Sequence, residues 1–192
     1  MNIVIFGPPG AGKGTQSKFI VKKFNLHQLS TGEILRNEIR NKTKLGNEIS
    51  TIINNGNLVS DSIVDNLIEK YISNDLYKNK LIFDGYPRNI NQAKNLDYLL
   101  KKHDQKINLV LKLSVSLDTI KKRISERKDL EKRVDDTEEI AIKRYVNYEN
   151  NIKTVIEFYK QSNLLRVVDG EASITEISSE ISGLMESIKG WL

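Results

Sequence analysis

Gly7-Pro8-Pro9-Gly10-Ala11-Gly12-Lys13-Gly14-Thr15 sets four glycines and a lysine within nine residues. A segment so poor in side chains has little surface to pack. Its backbone N–H groups are instead free to turn inward around an anion, with the lysine at the rim and a helix N-terminus behind. The segment follows an apolar run, Ile3-Val4-Ile5-Phe6, and precedes a helical pattern that begins near Lys13. Strand, loop and helix in that order are the setting of a phosphate cradle. The general cradle places Ser or Thr directly after Gly-Lys as a magnesium ligand. Here Gly14 takes that place and Thr15 follows, which sets the chain apart from a generic ATPase.

A second chemical segment is Asp84-Gly85-Tyr86-Pro87-Arg88, at the end of the strand-like run Lys80–Asp84. In a parallel sheet ligands lie beyond the carboxyl ends of strands, so this segment and the glycine-rich loop are expected to face one crevice. A carboxylate there can hold Mg²⁺ through water, because that ion keeps part of its hydration shell. Arg123 and Arg127 are four residues apart, hence on one helix face. Arg133 and Arg144 flank the start of a long helical stretch. Singly, each arginine reads as a solvated surface residue. Together with Arg88 and Lys13 they suit phosphoryl transfer, in which planar guanidiniums meet phosphate oxygens and catalysis is positioning and electrostatics. His27 and His103 have no metal-ligand partner at usable spacing.

These residues must be held by a sheet. Besides Ile3–Phe6 and Lys80–Asp84, Ile107–Leu113 and Leu164–Val168 read as strands, with a short one near Leu26–Leu29. Alternation with helical patterns predicts an α/β protein, a parallel sheet covered by helices on both faces. Ser30-Thr31-Gly32-Glu33 fits a capping box, and Asp136 is expected to cap a helix running to about Tyr159, with Ile140, Ile142 and Tyr145 on its buried face. Residues 30–59 read as an inserted, mostly helical segment broken at Gly46 and Gly56. Residues 128–132 read as a short charged loop.

The chain has 192 residues, 39% apolar residues and no cysteine. Its mean hydropathy is −0.42. One globular domain with small insertions is expected, without disulfides, thiolate metal sites or a membrane span. The absence of a leader before the first strand points to the cytoplasm. A net charge of +5 admits a lysine-rich solvated surface or a nucleic-acid face. Scattered lysines and the missing motif favour the first, and no nucleic-acid partner is expected.

The stretches GPPGAGKGTQ, LSTGEILR, NNGNLVSD, FDGYPRNINQA, KRISER, KRVDDTEE and VVDG occur in this order. With them the chain resembles the adenylate kinase family of nucleoside monophosphate kinases along nearly its whole length. The resemblance implies a P-loop three-layer fold with a five-stranded parallel sheet, a core of residues 1–29, 60–126 and 134–192, a mobile nucleoside-monophosphate domain at 30–59 and a short lid at 127–133. It implies Mg²⁺-dependent transfer from ATP to AMP to give two ADP, by a monomer.

Position by position, it implies that Gly10, Ala11, Gly12, Lys13, Gly14 and Thr15 hold ATP phosphates, with Lys13 following the transferring group. Arg123 and Ala172 would meet the ATP base. Thr31, Arg36, Asn57, Leu58 and Val59 would line the AMP pocket, with Gly85, Tyr86, Pro87 and Arg88 also binding AMP, Arg88 at its phosphate, and Gln92 on the adenine edge. Arg127, Arg133 and Arg144 would contact phosphates, Arg127 on the ATP side and the other two on the AMP side. Lys13, Arg88, Arg127, Arg133 and Arg144 would be the catalytic set, and Thr15 and Asp84 the Mg²⁺ residues. The short segment between Arg127 and Arg133, without cysteine, resembles the short-lid form that has no structural zinc. UMP/CMP kinases share that form and are the alternative. Thr31 and Gln92 favour AMP, since UMP/CMP kinases generally carry alanine and asparagine there.

Overall fold

The computed structural model describes residues 1–131 and 137–189. Five strands, β1 (Asn2–Phe6), β2 (His27–Ser30), β3 (Leu81–Asp84), β4 (Ile107–Ser114) and β5 (Leu165–Asp169), form one sheet in the order β2-β3-β1-β4-β5. Every pairing is parallel. The helices are α1 (Lys13–Phe24), α2 (Thr31–Arg40), α3 (Lys44–Asn54), α4 (Asp61–Ile72), α5 (Ile90–Lys102), α6 (Leu117–Glu131), α7 (Glu138–Gln161) and α8 (Ile174–Lys189).

Strand side chains alternate between two cores, as a period of two requires. Ile3 and Ile5 of β1 pack with Ile82, Leu109 and Leu111 against Ile20 of α1 and Ile177, Ile181 and Met185 of α8. Val4 and Phe6 face the other way, toward Ile68 and Ile72 of α4, Leu96 and Leu100 of α5, and Val155 and Tyr159 of α7. Each fully buried aliphatic side chain is worth about 1.5–3 kcal/mol relative to exposure, so β1, buried throughout, anchors both layers. The loop after β1 is thus attached to the central, wholly buried strand of the sheet.

Several local expectations are corrected. The Ser30 side chain makes no capping hydrogen bond. Ser30 ends β2, and Glu33 pairs instead with Arg36 and Arg40, so the capping box does not form. Gly46 does not break a helix but sits in the first turn of α3. A Cβ there would lie 2.1 Å from Glu38 O, so glycine allows α3 to touch the backbone of α2. The break falls at Asn41–Thr43, with Lys42 at φ 49°. Thr137 caps α7, its Oγ1 accepting from Ile140 N at 3.3 Å; Asp136 lies outside the described residues. Ala141 and Tyr145, rather than Ile140 and Ile142, pack on Ile120 and Ile124 of α6, because residues four apart share a face. Residues 128–131 continue α6 rather than forming a loop, and Lys132 and Arg133 lie outside the described residues.

Candidate active site

The glycine-rich loop leaves β1 and enters α1 at Gly12, whose φ of 92° is left-handed; Gly10 has φ 85°. Glycine adopts this region without the Cβ penalty. No side chain caps α1, so its first N–H groups form an anion seat rather than bonding a Ser or Thr. Lys13 folds back over the loop, its Nζ donating to Gly7 O at 2.7 Å and Pro8 O at 3.1 Å.

Opposite stands a wall made of side chains. Thr31, at the start of α2, donates through Oγ1 to Gly85 O at 3.0 Å, and Arg88 Nε donates to the same oxygen at 2.7 Å. One carbonyl thus ties α2 to the loop after β3. Gln92, in the first turn of α5, accepts at Oε1 from Arg88 N at 2.7 Å and donates from Nε2 to Asp61 Oδ1 at 2.7 Å. Asp84 ends β3, nearly buried, and its Oδ2 accepts from Gln28 Nε2 at 2.9 Å.

Between the loop and this wall lies a cleft of about 1050 Å³. Of the residues predicted from sequence it is lined by Gly10, Ala11, Gly12, Lys13, Gly14 and Thr15, by Thr31, Arg36, Asn57, Leu58 and Val59, by Asp84, Gly85, Pro87, Arg88 and Gln92, and by Arg123, Arg127, Arg144 and Ala172. Tyr86 is not on the wall. Its side chain is fully buried and its hydroxyl donates to Asp65 Oδ1 at 2.7 Å; burial and that carboxylate hold its pKa above the ordinary value. Arg133 lies outside the described residues. Arg123 is fixed by donating from Nη2 to Gly170 O at 2.9 Å. Sequence reasoning missed Gln28 and Asp61, which orient Asp84 and Gln92. Neither sits in a glycine-rich or arginine-rich run.

The field in the cleft is positive. Among the described residues, seven lysines and arginines line it against three carboxylates, Glu33, Asp84 and Glu126. Lys13 keeps some solvent exposure, yet dense protein around its ammonium lowers its pKa from 10.5 to about 8. Asp84 opposes that shift, while Arg88, Arg144 and Arg127 add to it. Burial likewise brings Arg88 down to about 10, with Arg144 and Arg36 adding to the effect and Asp84 opposing it. Clustered cations that destabilise one another are relieved by a polyanion. Asp84 and Thr15 bring hard oxygen donors to the same cleft, and such donors fit Mg²⁺. Among the described residues no three His, Cys, Asp or Glu side chains group to cage a metal.

A parallel α/β sheet, a phosphate loop on its central strand and a cationic cleft beyond the strand ends define a P-loop phosphotransferase. The adenylate kinase family model matches residues 5–164. Adenylate kinase of Pelagibacter ubique is 42% identical over 212 aligned positions, covering 97% of this chain and all of that protein. Adenylate kinases of Fusobacterium nucleatum and Maricaulis maris are 39% and 40% identical, covering 94% and 97% of this chain and 96% and 99% of theirs. The chain belongs to the adenylate kinase family. It is a nucleoside monophosphate kinase, and the UMP/CMP kinase alternative is not favoured. Among the described residues no helix is long and apolar enough to cross a membrane.

Proposed function

We propose that the cleft binds ATP and AMP together and transfers the terminal phosphoryl group to give two ADP. The observation that carries this reading is the meeting of a main-chain phosphate seat and a side-chain wall across one cationic cleft. Gly10–Thr15 seat the ATP phosphates on backbone N–H groups. Lys13 leaves its two carbonyl partners to follow the transferring phosphoryl. Arg123 and Ala172 border the ATP base. Arg88 and Arg36 hold the AMP phosphate, Thr31 and Gln92 face its base, and Asn57, Leu58 and Val59 close the pocket. Arg127, Arg133 and Arg144 neutralise charge that spreads over the equatorial oxygens. Mg²⁺, held near Thr15 and Asp84 largely through water, neutralises phosphate charge when bound.

Residues 30–59 close over the core and exclude water, which keeps ATP from hydrolysis until AMP is present; of the lid at 127–133, residues 132 and 133 lie outside the described residues. In this reading the chain acts as a monomer. The test is a coupled assay with ATP, Mg²⁺ and a panel of AMP, UMP and CMP. AMP is expected to be the preferred acceptor. Efficient use of UMP or CMP with little of AMP overturns the substrate assignment, and tight ATP binding without transfer to any acceptor overturns the reaction.

A further inference from the structure

Asp61, the first residue of α4, touches the cleft wall only through other side chains. Its Oδ1 accepts from Gln92 Nε2 at 2.7 Å and from Asn89 Nδ2 at 3.1 Å, and its Oδ2 accepts from Asn89 Nδ2 at 3.0 Å. Asn89 in turn caps α5, its Oδ1 accepting from Gln92 N at 2.9 Å. Gln92 is 4% exposed, so both ends of its amide are committed inside the wall.

These partners leave the amide one orientation. A carboxylate only accepts, and the Arg88 backbone N–H only donates. Turning the amide over would set Oε1 against the Asp61 carboxylate and Nε2 against the Arg88 N–H, and both hydrogen bonds would become repulsions. A side-chain amide carries two hydrogens and two lone pairs. One of each is spent on Asp61 and Arg88, and one of each remains for a ligand in the cleft, in a fixed order along the group. Adenine offers an acceptor at N1 and a donor at its 6-amino group. Hypoxanthine offers the inverse, a donor at N1 and an acceptor at O6. An amide free to turn over would satisfy either base.

We infer that Asp61 is a positioning residue for acceptor specificity, which locks the polarity of the Gln92 amide and so makes the enzyme distinguish a 6-amino purine monophosphate from a 6-oxo one. The inference rests on the assignment of Gln92 to the acceptor base. An acidic residue in the first turn of a helix also favours the helix dipole. That role alone changes the melting temperature and leaves base preference untouched.

The experiment compares kcat/KM for AMP with that for IMP, at fixed ATP and Mg²⁺, in the full chain and in Asp61→Ala and Gln92→Ala, each checked by thermal unfolding. Asp61→Ser, a short polar residue at the same helix start, serves if the alanine variant does not fold. Asp61→Ala is expected to lower the AMP-to-IMP ratio at least about tenfold, with KM for AMP rising more than kcat falls. Gln92→Ala is expected to lower the ratio as well. A ratio that falls in Gln92→Ala but stays within about threefold of the parent in both Asp61 variants overturns the positioning role. A ratio unmoved by Gln92→Ala overturns the assignment of Gln92 to the base, and the inference with it.

Discussion

Residues Gly7–Thr15 bound the cleft with main chain and a single long side chain, whereas the opposite wall is assembled from Thr31, Arg36, Arg88 and Gln92 on three separate elements. The first region needs only glycines at left-handed φ, an uncapped helix start and Lys13 resting on Gly7 O and Pro8 O. The second is a chain of hydrogen bonds from Thr31 through Gly85 and Arg88 to Gln92, Asn89 and Asp61. Backbone N–H groups recognise phosphate oxygens, which every nucleotide carries. Side chains held at fixed polarity can recognise one base and one phosphate position. In the function proposed above, the wall accounts for selectivity and the loop for affinity toward polyphosphate.

That contrast can be broken by experiment. Lys13→Met removes the loop's only long cationic side chain, and kcat is expected to fall about 10³-fold or more while circular dichroism stays unchanged. A loss below tenfold would mean the main chain alone does the loop's work. Arg88→Ala is expected to lower kcat about 10²-fold and raise KM for AMP without altering KM for ATP; equal changes for both substrates would erase the division between the two sides.

The pH profile sharpens it further. With the Lys13 pKa lowered to about 8, the ammonium is charged below that pH and lost above it. Log kcat/KM for ATP, which reports the free enzyme, is expected to fall about one unit per pH unit above roughly 8, and a flat profile to pH 10 would refute it. For stability the sign is opposite. Between about 8 and 10.5 the unfolded chain binds more protons at this lysine than the folded one, so its unfavourable contribution shrinks as pH rises through that window. The difference in stability between parent and Lys13→Met, followed by urea titration, should show it. The smallest effect is expected for Pro9→Ala. Proline has no N–H to contribute, and kcat/KM should stay within about threefold; a larger loss would give the loop's side chains a role they lack here.

The sheet was legible because Ile3–Phe6, Ile107–Leu113 and Leu164–Val168 are apolar runs between turn signals, and a buried parallel strand has no other appearance. The glycine-rich loop was legible because its chemistry is local. Gly46 misled because glycine within a helix marks a close approach as well as a break, and only the position of Glu38 O decides between them. Ser30 misled because the preceding residues are strand and Glu33 found arginines. Gln28 and Asp61 were invisible for a different reason. Their partners lie 56 and 31 residues away, and a hydrogen bond across that separation leaves no local periodicity. The wall was recognisable from motif likeness, but its wiring was not.

The contact of Gly46 with Glu38 has a mechanical consequence. With Thr43 N bonded to Glu38 O at 3.2 Å and Thr43 Oγ1 accepting from Gly46 N at 3.0 Å, α2 and α3 are tied together, so the movement proposed for residues 30–59 would carry them as one lever. At 1.5 Å per residue, a 20° swing about Ser30 would carry the far tip near Lys42 about 6 Å but move Thr31 by well under 1 Å. Such a swing would widen the cleft while the residue at its fulcrum kept its bond to Gly85 O.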